Sequence, residues 1–265
     1  MLYGAMNYPI KPVLDELEEI AALGFDYLEL TLDPPQAHYS NILHHKTELL
    51  AALDRNGMRL ICHLPTFVSL ADLTESIRKS SLDEVLRSIE VAAGLDPLKI
   101  VAHPAYVSGL GAFVMDQTRQ NAKNSLATVA QKADQLGLDL CVENMFPRCG
   151  YGVEIEDFIE IFDQFPKLKL TLDTGHAHIG SLAGERVLAF IETFSTRVGH
   201  VHISDNFGKE DNHLPIGTGT INFPRIIRAL KSFEYDGTVT FEVFSRDREY
   251  LRISREKFDK IWTSL

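Results

Sequence analysis

The chain has 265 residues, 45% of them hydrophobic and 24% charged, with a net charge of −11. These proportions belong to a folded globular protein and exclude intrinsic disorder. The acidic balance disfavours nucleic acid and membrane surfaces as partners, since both attract chains rich in Lys and Arg.

Along the chain the apolar pattern alternates between two periods. Short β-rich runs at residues 2–6, 27–32, 59–63, 99–103, 139–143, 169–173, 199–203 and 238–243 read as strands. Several are near-continuously apolar (RLICH, KIVAH, LCVE), as strands covered on both faces are. Helix-like segments follow each run, at 12–23, 47–56, 82–93, 116–136, 154–165, 182–194, 223–233 and 248–264. Gly24, Gly57, Gly94 and Gly137 stand just past four of them as stop signals. Eight strand–helix units in strict alternation predict an α/β fold, a closed (β/α)8 TIM barrel formed as a single domain over 1–265. The competing open doubly wound sheet lacks its usual G-x-G-x-x-G after the first strand.

Cys62, Cys141 and Cys149 make no C-x-x-C pair and no disulfide framework, so a reducing cytoplasmic compartment is expected. The opening MLYGAMNYPIKP has no basic region before an apolar core, so no signal peptide is expected. No membrane span is expected either. The longest stretch free of Asp, Glu, Lys and Arg, residues 100–115, is interrupted by His103, Pro104 and two glycines. The helix faces carry the apolar residues that a barrel shell needs, and no dimer surface stands out from them.

In a barrel of this kind the chemistry sits at the C-terminal ends of the strands. Those ends carry His63, His103, Glu143, Asp173 with His176 three residues on, His202 followed in its loop by Asp211 and His213, and Glu242. All are ligand types for divalent metals. A lone histidine at a strand end is ordinarily a hydrogen-bonded structural group. A carboxylate in an apolar setting needs a cation, and Glu143 (after LCV) and Glu242 (in TFEVF) have no Lys or Arg on their own strands. Six of eight strands converge on these types, which sets the group apart from its single members. His38, His44 and His45 read as solvated, His200 as barrel filling one layer deeper than His202, and Cys62 as packing against the helices. His178 has an uncertain phase relative to Asp173. Arg148, Lys209 and Arg246 are candidates for an anionic substrate group, though each also fits a solvated surface charge.

The segments VENMF (142–146), LDTGHAH (172–178), HVHISDN (200–206), DNHLPIGTG (211–219) and FEVF (241–244) resemble the xylose isomerase-like barrel superfamily. That group holds sugar and sugar-phosphate isomerases and epimerases, hydroxypyruvate isomerase-like proteins and apurinic endonucleases of the endonuclease IV type. By resemblance to the epimerase branch, Glu143, Asp173, His202 and Glu242 form a metal core. The endonuclease branch implies five further ligands, at His63, His103, His176, Asp211 and His213. The resemblance thus implies one to three divalent ions per chain (Mn, Zn, Co or Mg). In the epimerase reading Glu143 and Glu242 exchange a proton with a small carbohydrate-like substrate through an ene-diolate, and His176 orients a substrate oxygen. The other four line the pocket or hold further metal.

The chain departs from the endonuclease pattern in two places. Its first strand reads YGAMNYP instead of G-x-H-x-S, and Asn206-Phe207 stand where a Ser-Lys pair is usual. The expectation is therefore an isomerase or epimerase. Cleavage of abasic DNA is the first alternative, and a metabolite-binding barrel without catalysis is the second.

Overall fold

The computed structural model describes residues 1–181 and 184–265. Its strands are β1 (Leu2–Met6), β2 (Tyr27–Thr31), β3 (Arg59–His63), β4 (Ile100–Ala102), β5 (Leu140–Glu143), β6 (Lys169–Asp173), β7 (Val198–Ile203) and β8 (Thr238–Phe241). They pair in parallel in chain order, and β8 closes on β1 through Leu2↔Thr238 to Ala5↔Phe241. The expected TIM barrel is the observed one.

Ten helices wrap it among the described residues: α1 (Val13–Ala22), α2 (Tyr39–His44), α3 (Lys46–Asn56), α4 (Glu75–Ala93), α5 (Met115–Gln135), α6 (Ile155–Gln164), α7 (Thr174–His178), α8 (Glu185–Phe194), α9 (Phe223–Ser232) and α10 (Glu249–Ser264). Three differences from the sequence reading stand out. α4 starts at Glu75, not at residue 82, because its first turns (ESIRKSS) are polar and carry no apolar stripe. The short α2 and α7 were not expected. The expected start of the 182–194 helix lies outside the described residues. No helix among the described residues is long and apolar enough to cross a membrane.

Local chemistry fixes the shell. α9 buries Phe223, Ile226, Ile227 and Leu230 on one face, and Asn222 caps its N-terminus by accepting from Arg225 N. Each such side chain contributes about 1.5–3 kcal/mol when buried. The main core lies between helices and strands and takes in Leu28, Leu30, Cys62, Leu170, Leu172, Val201 and Ile203. Cys62 thus packs outward as expected. Inside the barrel, Tyr27, Ile61 and Val101 fill the bottom against Leu2 and Leu98.

One irregularity aims the site. The β6–β7 register shifts between Leu170↔Val198 and Thr171↔His200, so Gly199 is an extra residue in β7. A Cβ there would stand 2.7 Å from the Lys169 side chain, so the bulge needs glycine. Val198 packs against the outer core, whereas His200 and His202 turn to the interior.

Candidate functional site

All nine sequence-selected side chains gather at the C-terminal mouth of the barrel. His63 and Glu143 end β3 and β5, His103 follows β4, and Glu242 follows β8. Asp173 ends β6 and caps α7, with Oδ1 accepting from His176 N at 2.6 Å. His202 lies within β7, and Asp211 and His213 stand in the loop after it. Asn144 ties two strand ends together: it accepts from Asp173 N at 2.8 Å and donates to Asp173 O at 3.0 Å.

The contacts fall into three overlapping groups. Around Glu143 Oε2, His63 Nε2 lies at 3.1 Å and His103 Nε2 at 3.3 Å. Around His202 Nδ1, Glu242 Oε1 lies at 2.9 Å, Glu143 Oε1 at 3.4 Å and Asp173 Oδ2 at 3.8 Å. Around Asp211 Oδ2, His213 Nε2 lies at 2.8 Å and His176 Nε2 at 3.2 Å. His176 Nδ1 bonds the Asn144 carbonyl at 3.0 Å, which leaves Nε2 facing Asp211.

The loop that carries Asp211 and His213 is built around Asp205. This buried carboxylate accepts four backbone N–H groups: Asn206 (2.9 Å) and Ile221 (3.1 Å) on Oδ1, Gly217 (2.9 Å) and Gly219 (2.9 Å) on Oδ2. Asp205 also pairs its backbone with Leu214. Gly219 passes so close that a Cβ would stand 2.3 Å from Asn206 O. The GTG segment is therefore a wrap around a carboxylate. His213 itself sits in the left-handed region, at φ 46°.

Electrostatics follow from packing buried acids and imidazoles together. Burial pushes Glu143 up, but His202 and His103 overcome it and hold its carboxyl well below the usual range. Asp173 goes the other way, because burial and then the Glu242 and Glu143 charges outweigh the histidines beside it, and its pKa rises to about 7. Burial lowers His63, yet its bond to Glu143 wins and raises it to about 9. His213 is raised to about 9 in the same way by Asp211. His176 and His202 are held well above the normal imidazole value by the carboxylates around them, against burial. At His103 burial wins and the pKa falls.

The residues fit a divalent ion. Asp173 Oδ2, His202 Nδ1, Asp211 Oδ1 and His213 Nδ1 are buried and make no well-aligned hydrogen bond, even though Glu242 Oε1 approaches His202 Nδ1 to 2.9 Å. Buried polar atoms without partners are costly, and four of the twelve among the described residues belong to expected ligands. One atom each from Glu143, Asp173 and His202 lies within 4.8 Å of the others, and the same holds for His63, His103 and Glu143. Ligand atoms about 2.0–2.2 Å from a shared ion have such separations.

A cavity of about 690 Å³ opens above this floor. Its walls include Tyr8, Phe67, Val68, Met145, Phe146 and Phe244, and Arg148 is the one Lys or Arg lining it among the described residues. Lys209 and Arg246 do not line it. His178 lies outside the site and bonds Thr220 Oγ1 at 2.9 Å. His38 corrects the solvated reading: it caps α2 and contacts Glu84 at 2.7 Å. His44 and His45 are exposed, as expected.

The family model for the xylose isomerase-like TIM barrel matches residues 17–261. The chain belongs to that family. An L-ribulose 3-epimerase of Methylomonas sp. is 29% identical over 86% of this chain and 77% of its own length. A protein of Methanocaldococcus jannaschii without an assigned activity is 29% identical over 97% of this chain and 92% of its own. Among solved structures, a D-tagatose 3-epimerase-like protein superposes with a TM-score of 0.88 at 26% identity, over 100% of this chain and 98% of its own.

Sequence reasoning missed Glu29. It stands in mid-β2, fully buried, with Oε1 3.0 Å from His202 Nε2 and Oε2 2.9 Å from His200 Nε2. Burial pushes it up, but His202 and His200 hold it well below the carboxylate range. The signal was present as one acid in a strand that otherwise alternates Tyr27, Leu28, Leu30 and Thr31. Attention to strand ends passed it over.

Proposed function

We propose that this chain is a divalent-metal-dependent epimerase or isomerase of a small, unphosphorylated sugar or related polyhydroxy carbonyl compound. The observation that carries the reading is the pair Glu143 and Glu242. Both carboxylates face the cavity and both flank His202 Nδ1, at 3.4 and 2.9 Å. Glu143, Asp173, His202 and Glu242 would hold the ion. When bound, it supplies Lewis-acid polarisation of a carbonyl and offsets the negative charge that builds up on deprotonation.

The protein's own groups move the proton. One of Glu143 and Glu242 takes it from the carbon next to the carbonyl, and the other returns it from the opposite side. His176, anchored by Asn144 O, directs Nε2 toward a substrate oxygen beside Asp211. The aromatic walls offer apolar surface to one face of a sugar ring or chain. A single exposed arginine, Arg148, gives little purchase for a phosphate, which supports a neutral substrate. The family relationship and the named 3-epimerase relatives support the same reaction class.

One observation favours phosphodiester cleavage as a second reading. The His63–His103–Glu143 group provides a place for one more ion beside the core, and His176 and His213 both meet Asp211 next to it. The net charge of −11 and the aromatic cavity weigh against a DNA backbone at this mouth. Incubation with free ketopentoses and ketohexoses in D2O plus Mn2+ or Co2+ tests the choice. Deuterium uptake next to the carbonyl, with formation of the epimer, is expected. No exchange on any of them, with incision of an abasic duplex, would overturn it.

A further inference from the structure

The wall behind the four proposed ligands is polar, and its geometry has a consequence for His202. Glu29 Oε1 lies 3.0 Å from His202 Nε2, while Oε2 lies 2.9 Å from His200 Nε2 and 2.5 Å from Thr240 Oγ1. Tyr27 Oη is 2.8 Å from Thr240 Oγ1, and Thr238 Oγ1 is 2.7 Å from His200 Nδ1. Glu29, His200, His202 and Thr240 are all fully buried.

As a carboxylate, Glu29 accepts from every partner in this cluster. Thr240 donates to Glu29, so Tyr27 donates to Thr240. His200 Nε2 donates to Glu29, while His200 Nδ1 has both Thr238 Oγ1 (2.7 Å) and Thr238 O (3.1 Å) beside it. The opposite His200 tautomer would set a nitrogen lone pair against a carboxylate oxygen across 2.9 Å. An ionised carboxylate has no proton to give, so His202 Nε2 must also be a donor.

We propose that Glu29 is a positioning residue that keeps the proton of His202 on Nε2 and thereby turns the Nδ1 lone pair toward the divalent ion. Carboxylates that hold the far nitrogen of a metal-bound histidine fix both ring orientation and tautomer, and their loss weakens metal binding about 10–100-fold. Glu29 holds a second histidine and a hydroxyl as well, so it cannot swing away from His202 without abandoning them. The three atoms of Glu29, His200 and His202 also lie within 4.8 Å of one another, as in a metal site. Hydrogen bonds already account for each of them, so this triad is the support behind the site and not a further site.

The inference rests on the metal reading of Glu143, Asp173, His202 and Glu242, but its test needs no substrate. Zinc is titrated calorimetrically into the metal-free wild type and Glu29→Leu, and thermal unfolding of both checks the fold. Leu offers no acceptor, so His202 Nε2 loses its partner. The expected result is about 10–100-fold weaker zinc binding in a folded variant. Equal affinity in the two proteins overturns the role of Glu29 and leaves the metal reading standing. Absence of zinc binding by the wild type overturns both.

Ring nitrogen NMR of the zinc-loaded wild type gives a second measure that needs no variant. A proton on His202 Nε2 with zinc on Nδ1 is expected. A proton on Nδ1, or an ion between Glu29 and the two histidines, overturns the proposal. If Glu29→Leu does not fold, this measurement decides alone.

Discussion

Replacing Asp205 with asparagine keeps the shape of the side chain and removes half of what it does. In the wild type each carboxylate oxygen accepts two backbone N–H groups, at 2.9–3.1 Å. Asparagine retains one oxygen and turns an NH2 group toward the other two donors. Hydrogen bonds to a charged group contribute about 1.5–3 kcal/mol each, and the two unpartnered donors add a desolvation cost. Because bonds that share one acceptor group are not additive, a loss of about 3–5 kcal/mol follows. At about 2–4 °C per kcal/mol for a chain of this size, Tm should fall by about 10 °C. If the loop detaches without global unfolding, the cost appears instead as fast amide exchange at Gly217, Gly219 and Ile221. Asp211 and His213 loosen in either case, and metal binding beyond the core weakens. Calorimetric unfolding and hydrogen exchange read the two routes separately. A variant with wild-type Tm and wild-type protection at those three amides would refute the view that Asp205 organises the loop.

Further outcomes follow from the same structure. Glu143→Gln and Glu242→Gln should each lower epimerisation by at least about 10²–10⁴-fold, and the double variant should lose less than the product, as measured by epimer formation. In the metal-free protein His63 and His213 are both raised to about 9, so the folded state binds more protons than the unfolded one. Their stabilisation is fully present below about pH 6.5 and disappears as pH climbs to about 9, so the Tm of the metal-free protein should drop across that window. Metal competes with the same protons, so the stabilisation it gives should grow over that window, to a total of about 2.7 kcal/mol at a hundredfold excess over Kd once the protons are gone. Equal Tm slopes with and without metal would contradict this. Gly219→Ala puts a methyl group 2.3 Å from Asn206 O and should destabilise the loop in unfolding assays as Asp205→Asn does. Chelation followed by gel filtration should abolish turnover, and Mn2+, Co2+ or Zn2+ should restore it.

The barrel was legible because its strands are short, apolar and regularly spaced, and because a ligand-type residue stands at six of eight strand ends. Helix α4 was shortened at its start because its polar first turns bury nothing that a periodicity argument detects. Helix α7 has only five residues and owes its form to Asp173, whose side chain caps it, so the local pattern could not show it. The Gly199 bulge was also hidden. Alternation places His200 and His202 on one face, but which face depends on an extra residue visible only in the register with β6. The cause of the GTG run, a carboxylate wrapped by four amides, joins residues far enough apart that no local rule finds it.

Glu29 and His202 are 173 positions apart, and the β8–β1 junction lies between their strands around the ring. An incompletely assembled sheet can display β5 to β8 with all four acidic and imidazole groups in order, yet it offers His202 without its restraint. On the proposed role of Glu29, tight cation uptake reports that the circle is complete, and a chain still open at that seam should remain a weak chelator.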